Sequence, residues 1–294
     1  MINTHTEAPK YLPHMHHKDT IVMGMEPLDK AKWIEPDDHY PKFLQHKLAL
    51  KALEQQHIFD ALPSSLEAQK ELASELKRHL LNQHSHLYCP VAEGLSYLPN
   101  GINLASANTN PLWQASLWVA DDLLIMQKLA GSYCLTAASL CSPSNWHLVE
   151  KIGQPMARIH DPVPTIHEKL TPKIDRFFDH LTLENPVQRF NWSLQANEKL
   201  AQFPEGKVIH AVNTPLYYRC ERQTLTRLPR TNAIAFTIRV YVYPIMSLTQ
   251  VPSALTQLKS AIGAMPPSVA RYKDIIYFAP ALLKYFSDLS SIKG

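Results

Sequence analysis

The stretch Glu221-Arg-Gln-Thr-Leu-Thr-Arg-Leu-Pro229, continued by Arg230-Thr-Asn-Ala-Ile-Ala-Phe-Thr-Ile-Arg239-Val-Tyr241, decides the fold class of this chain. Apolar and polar side chains alternate on both sides of a short break, which predicts a β-hairpin with strands over 216–228 and 233–243. A four-residue turn sets Leu228 opposite Ala233. Arg222 then faces Arg239 on one face of the hairpin. Two arginines directly opposite repel each other, so this register predicts an anion between or over them.

The other face of the hairpin is mostly apolar but carries a carboxylate, Glu221. Its apolar members include Phe236 and Ile238. An apolar wall interrupted by one carboxylate is typical of a cofactor pocket with a cationic ligand. The alternative is a core face on which Glu221 pairs with an arginine such as Arg219. Neighbouring strand residues point to opposite sides, so Glu221 and Arg222 line one pocket only if a bulge intervenes.

The rest of the chain alternates helices and hairpins. Helical spacing predicts an N-terminal layer of two helices over 43–57 and 65–83, and later helices over 165–181, 253–264 and 279–289. Strands are expected near 123–126 and 133–140, with a turn at Gly131, whereas 88–111 is expected to be a loop. Consecutive hairpins without βαβ alternation predict an α+β fold with an antiparallel sheet. Residues 1–20 are expected to form a disordered tail and residues 21–294 a single domain.

Composition excludes several classes of function. A net charge of +3 is too mild to indicate nucleic-acid binding, and no apolar run is long enough to predict a membrane span. The glycines are isolated, so no nucleotide-binding loop is present. Four cysteines without a CxxC pair argue against a cysteine-built metal site. No secretory signal is apparent, so a cytoplasmic protein with free thiols is expected. The sequence leaves a homo-oligomer open.

His160 is the best candidate for a metal ligand. It ends a short predicted helix, 155–160, and is followed by Asp161-Pro-Val-Pro164. A single histidine ligand, with cationic groups gathered elsewhere for the propionates, is one way to hold a haem and leave its sixth position open. The simpler interpretation is a structural histidine. Cys141 and Cys220 are alternative thiolate ligands, and the adjacent acids Asp121 and Asp122 are an alternative metal site.

Long, collinear motifs resemble one known family, the α subunit of haem-dependent oxidative N-demethylase. The matching motifs are Met23-Gly-Met-Glu-Pro-Leu-Asp29, Trp33-Ile-Glu35, Tyr40-Pro41, Pro143-Ser-Asn-Trp146, Glu150-Lys-Ile-Gly153, Ile159-His-Asp-Pro-Val-Pro164, Asp175-Arg-Phe-Phe178, Arg189-Phe-Asn-Trp192, Glu221-Arg-Gln-Thr-Leu-Thr-Arg-Leu-Pro229 and Phe236-Thr-Ile-Arg239. They cover roughly residues 23–245. The chain departs from the family pattern at Val119-Ala-Asp-Asp-Leu123, which affects the expected substrate more than the expected fold.

The resemblance implies a PAS-like antiparallel sheet with helices packed around a haem b. It implies removal of a methyl group from a small secondary amine such as dimethylamine, with O2 as oxidant, to give the primary amine and formaldehyde. NAD(P)H, flavin and an iron–sulfur centre would act only through partner reductase subunits. A haem-based gas sensor and a haem-free homologue are the alternatives.

The resemblance also implies roles for particular residues. His160 becomes the axial iron ligand, and Arg222 and Arg239 become propionate anchors or oxygen-activating donors. Glu221 becomes the group that binds the substrate ammonium, and Phe236 and Ile238 line the haem.

Overall fold

The computed structural model describes residues 8–16, 23–53, 57–104, 110–159, 171–204 and 206–292. The strands β1–β10 of these residues are Glu26–Pro27, Phe59–Ala61, Tyr88–Val91, Gly94–Tyr97, Ile102–Asn103, Asp122–Leu129, Ser132–Ser139, Val187–Gln195, Tyr217–Arg227 and Ile234–Pro244. The helices α1–α8 are Tyr40–Ala52, Leu66–Gln83, Pro111–Ser116, Met156–Ile159, Thr171–His180, Ala254–Gly263, Pro267–Tyr272 and Ala279–Ile292.

The centre of the fold is an antiparallel sheet of seven strands in the order β1-β8-β9-β10-β6-β7-β2. A second, three-stranded sheet contains β3, β4 and β5. The α+β class with a large antiparallel sheet is therefore confirmed. None of the described helices combines the length and apolarity needed to cross a membrane.

The predicted hairpin is confirmed in its strands and in its register. Arg222 pairs with Arg239, and Thr224 pairs with Thr237. The pairing of β9 with β10 runs without a shift from end to end, so no bulge turns Glu221 and Arg222 towards the same side. Asn232, in the turn, adopts a left-handed φ of 57°, which asparagine tolerates better than most residues.

The two faces of the large sheet are covered by different parts of the chain. One face, which carries Arg222 and Arg239, packs against α1 and α2 and against the C-terminal helices α6 and α8. The other face packs against α4 and α5. We call these the arginine face and the Phe236 face. The predicted N-terminal helical layer is confirmed and covers part of the arginine face.

Part of the expected N-terminal tail belongs to the packed core. Leu12 and His14 are buried, and His14 bonds the Tyr218 hydroxyl and the Ala254 carbonyl, each at 2.9 Å. The expectation of a disordered tail therefore does not describe residues 8–16. Residues 1–7 and 17–22 lie outside the described residues. The region 88–111, expected to be a loop, also differs, because it contains the small sheet and the start of α3.

The carboxylate of Glu71, on α2, holds the hairpin turn in place. It accepts hydrogen bonds from the backbone N–H groups of Arg230 (2.6 Å) and Thr231 (2.8 Å) and from the Thr231 hydroxyl (2.6 Å). Burial alone would raise the pKa of this carboxyl, but the hydrogen bonds from Thr231 and Arg230 outweigh burial and hold the pKa below 4.5.

Replacing Glu71 by alanine is expected to lower the free energy of unfolding by about 2 kcal/mol, because two backbone donors lose their acceptor. The stabilisation that the ionised Glu71 carboxylate gives the folded state is complete above about pH 4.5. This stabilisation is lost as the pH falls through the pKa of Glu71 in the folded state, which is lower than 4.5. Denaturant unfolding at several pH values measures both effects. Glu67→Ala, an exposed position one turn earlier on α2, is the control and should change little. Equal effects of the two substitutions would contradict the role of Glu71.

Candidate functional site

The apolar wall predicted from the sequence lies on the Phe236 face. Phe236 is partly buried, Ile238 is 8% exposed, and both pack in one hydrophobic cluster with Leu225 and Val240. Met156 and Ile159 of α4 pack against the same cluster. The wall is thus formed by the hairpin and closed by the segment that follows β7.

His160 itself lies outside the described residues, so its role as an axial ligand stays a prediction. Ile159, the residue before it, packs in the cluster that contains Phe236 and Ile238. The described chain therefore ends, one residue before His160 in the sequence, against the apolar wall of the Phe236 face.

Polar side chains adjoin this wall where β8 and β9 pair. Glu221 is 8% exposed and accepts hydrogen bonds from Arg219 Nε (3.0 Å), Gln223 Nε2 (3.1 Å) and Asn191 Nδ2 (3.5 Å). Burial alone would raise the pKa of Glu221, but Arg219 and the two amides outweigh burial and lower it. Glu221 is therefore an anion at neutral pH. The alternative interpretation from the sequence, a pair between Glu221 and Arg219, is observed.

Two further cations, Arg189 and Lys273, lie beside Glu221, and the sequence interpretation did not single them out. Arg189 pairs with Gln223 across β8 and β9 and so shares the Phe236 face. Lys273, just after α7, donates to Asn191 Oδ1 (2.9 Å) and to the Trp192 carbonyl (2.6 Å). Alternation in Arg189-Phe-Asn-Trp192 could have placed Arg189 on a face with Asn191. No local signal could have brought Lys273 to this strand.

Arg222 and Arg239 lie on the arginine face, each 1% exposed. Arg222 donates to the carbonyls of Lys32 (2.6 Å) and Trp33 (3.2 Å), and its Nε lies 3.7 Å from Glu35 Oε1. These contacts tie the segment 32–37 to the sheet.

Arg239 Nη2 donates to Asp37 Oδ2 at 2.6 Å, and its guanidinium stacks 3.9 Å from the Phe43 ring centroid. The anions beside the facing arginines are therefore carboxylates of the chain itself. The predicted site residues thus divide into two groups. Glu221, Phe236 and Ile238 share one face, and the two arginines share the other.

The alternative metal ligands find little support in their surroundings. The described residues contain no group of three or more His, Cys, Asp or Glu side chains placed to hold a metal. Burial raises the pKa of the Cys141 thiol to about 12 and also raises that of Cys220, so neither is a thiolate at neutral pH. Asp122 instead accepts the backbone N–H groups of Cys141 and Ser142, each at 2.8 Å.

Asp121 is buried beside Arg239, and neither of its carboxylate oxygens has a hydrogen-bond partner among the described residues. Arg239 Nε and Nη1 also lack partners there. Burial raises the pKa of Asp121, and this effect exceeds the lowering of the pKa by the positive charges of Arg239 and Arg222. This arrangement belongs to the arginine face and is separate from the apolar wall.

The residue types on the Phe236 face suit a haem. The wall offers apolar side chains for a macrocycle, and beside it lies Arg189, whose buried Nε has no hydrogen-bond partner in the described chain. Fold and site together define an α+β protein whose large antiparallel sheet carries, on one face, an apolar wall with buried charged side chains beside it. Residues 24–283 match the family model of haem-dependent oxidative N-demethylase, alpha subunit-like, and the chain belongs to this family.

Proposed function

We propose that this chain is the haem-binding subunit of a monooxygenase that removes a methyl group from a small, dimethylamine-like secondary amine. The observation that carries the proposal is the family match over residues 24–283. The balanced reaction is (CH3)2NH + O2 + 2 e⁻ + 2 H⁺ → CH3NH2 + CH2O + H2O. The electrons originate from NAD(P)H and arrive through partner subunits that hold flavin and an iron–sulfur centre.

The Phe236 face is the haem side of the molecule in this proposal. Haem b, when bound, supplies the iron at which O2 is reduced and activated. His160 would hold the iron, and Phe236 and Ile238 would exclude water from the macrocycle. The sheet order and the packing of α4 and α5 on this one face support a PAS-like description of the domain.

Glu221 binds the substrate ammonium in this proposal. A secondary amine is protonated at neutral pH, and a buried carboxylate is its natural partner. Glu221 lies next to Val240 in the sheet, at the border of the apolar wall. Arg219 and the two amides keep its carboxylate ionised and oriented, so the charge is ready before the amine arrives.

Arg222 and Arg239 act indirectly in this proposal. The resemblance suggested propionate anchoring or oxygen activation, but Arg222 contacts Glu35 and backbone carbonyls, and Arg239 Nη2 bonds Asp37, all on the arginine face. In this proposal Arg222 and Arg239 hold the segment 32–37 against the sheet. These contacts stabilise the hairpin that carries the apolar wall.

The visible spectrum of protein expressed with a haem precursor tests the proposal. We expect a Soret band that shifts when the reduced protein binds carbon monoxide, because one axial position is open. His160→Ala is expected to lose most of this band, whereas His147→Ala, an exposed histidine that stacks on Phe203, should retain it.

Formaldehyde release from dimethylamine, with a reductase and NAD(P)H, is the second measurement. A Soret band without amine turnover would instead favour a gas-sensing or haem-binding module. The absence of any Soret band after haem titration would overturn the haem-dependent function.

A further inference from the structure

Among the described residues, no carboxylate forms a direct ion pair with Arg189. Its Nε is buried and has no hydrogen-bond partner in the part of the chain that the structure describes. The carboxylate that attracts Arg189 most strongly, Glu221, makes its direct ion pair with Arg219 at 3.0 Å. Burial lowers the pKa of Arg189, and the attraction of Glu221 and Tyr272 does not offset this effect. Arg189 as a whole is partly buried, but a buried charged nitrogen without a hydrogen-bond partner is costly, so its Nε at the edge of the apolar wall points to an external anion.

Lys273 adds a second cation to the same place. It is 9% exposed, and its two described hydrogen bonds go to uncharged oxygens, Asn191 Oδ1 and the Trp192 carbonyl. Burial lowers the pKa of Lys273 to about 8, and repulsion from Arg189 contributes to this shift. The adjacent Asp274 is not its counterion, since it pairs with Lys207 at 2.6 Å.

Charge in this cluster is therefore unbalanced. Three cations, Arg189, Arg219 and Lys273, adjoin the single carboxylate of Glu221, and only Arg219 makes a direct ion pair with it among the described residues. The opposite face of the same strands differs, because there Arg222 and Arg239 each have a nearby carboxylate. The imbalance is thus local to the Phe236 face.

We propose that Arg189 and Lys273 form an anion subsite for a carboxylate group at the edge of the apolar wall. Arginine and lysine together suit a carboxylate, since the guanidinium offers paired donors and the ammonium a point charge. The carboxylate has two sources with the same chemistry. One is a haem propionate, an assignment that rests on the proposed function, and the other is a free small organic acid.

Porphyrin affinity distinguishes the two sources. The apoprotein is titrated with haem and with haem dimethyl ester, whose propionates are uncharged, and binding is followed by the Soret band. If a propionate occupies the subsite, wild type is expected to bind haem at least tenfold more tightly than the ester. Arg189→Met and Lys273→Met should remove most of this preference, and Arg189→Lys should keep part of it. Arg271→Met, an exposed cation on α7, is the matched control and should keep the full preference.

Thermal unfolding in sodium propionate tests the subsite without haem. We expect millimolar propionate to raise the Tm of the wild-type apoprotein but not that of Arg189→Met, with sodium chloride at equal ionic strength as the reference. A propionate effect without a preference for haem over its ester would assign the subsite to a free acid.

Failure of the subsite and failure of the proposed function give different results. If the protein binds no porphyrin but propionate still raises the Tm in an Arg189-dependent way, the haem function is contradicted and the anion subsite is supported. Equal affinity for haem and its ester, with no propionate effect, would overturn the subsite and leave the haem function intact.

Discussion

Replacing Arg239 by methionine is expected to lower the free energy of unfolding by about 3–5 kcal/mol. The guanidinium is 1% exposed, bonds Asp37 at 2.6 Å and stacks on Phe43. Methionine has a similar length but no charge, so Asp37 and the buried Asp121 lose the cation that offsets their charge. The loss arises from two carboxylates left without compensation rather than from one missing hydrogen bond.

Denaturant unfolding of the apoprotein is the decisive measurement for Arg239. Lys128→Met, which removes an exposed cation that pairs with Asp179, is the control and should leave stability nearly unchanged. Asp121→Asn in the Arg239→Met background is expected to restore part of the loss, because one unpaired carboxylate is removed. If the Arg239→Met apoprotein is as stable as wild type but binds haem more weakly, Arg239 is instead a propionate anchor.

Glu221→Gln is expected to raise the KM for the secondary amine about 100-fold and to change kcat by only a few-fold. Loss of one partner of a buried charge pair costs about 2–5 kcal/mol, and each 1.4 kcal/mol is a factor of about ten. Glu221 meets the ammonium equally in the substrate complex and in the transition state, so the loss appears in KM. Steady-state formaldehyde release, normalised to haem content, measures it.

Glu35→Gln is the matched control for Glu221. Glu35 is a partly buried carboxylate near an arginine on the other face of the sheet, so its loss should leave the KM for the amine unchanged. Glu221→Asp, which keeps the charge, should recover part of the affinity. If Glu221 serves only as the counterion of Arg219, the glutamine variant will lose stability and haem content while its KM remains at the wild-type value.

The sequence was sufficient for the hairpin because its signal is local. Alternation over 216–228 and 233–243, together with a four-residue turn, gives the strands, the register and the facing arginines, and the structure confirms all three. The helices of the N-terminal layer were also predictable, since apolar spacing at three and four residues requires no distant partner. The small sheet over 88–103 was missed because its strands have two to four residues, too few for a visible alternation.

The sequence alone determined the family, through the order of its motifs. It also determined which residues share each face of the hairpin, through the two-residue period of a strand. What covers each face was decided only by tertiary structure. The segment 32–37 supplies the carboxylates of the arginine face, and its Asp37 lies 202 residues before Arg239. The residues around Lys273 likewise return to meet β8. Such partners meet by packing of distant segments. No local periodicity encodes which cation forms an ion pair with a carboxylate, as Arg239 does, and which, like Arg189, forms none among the described residues.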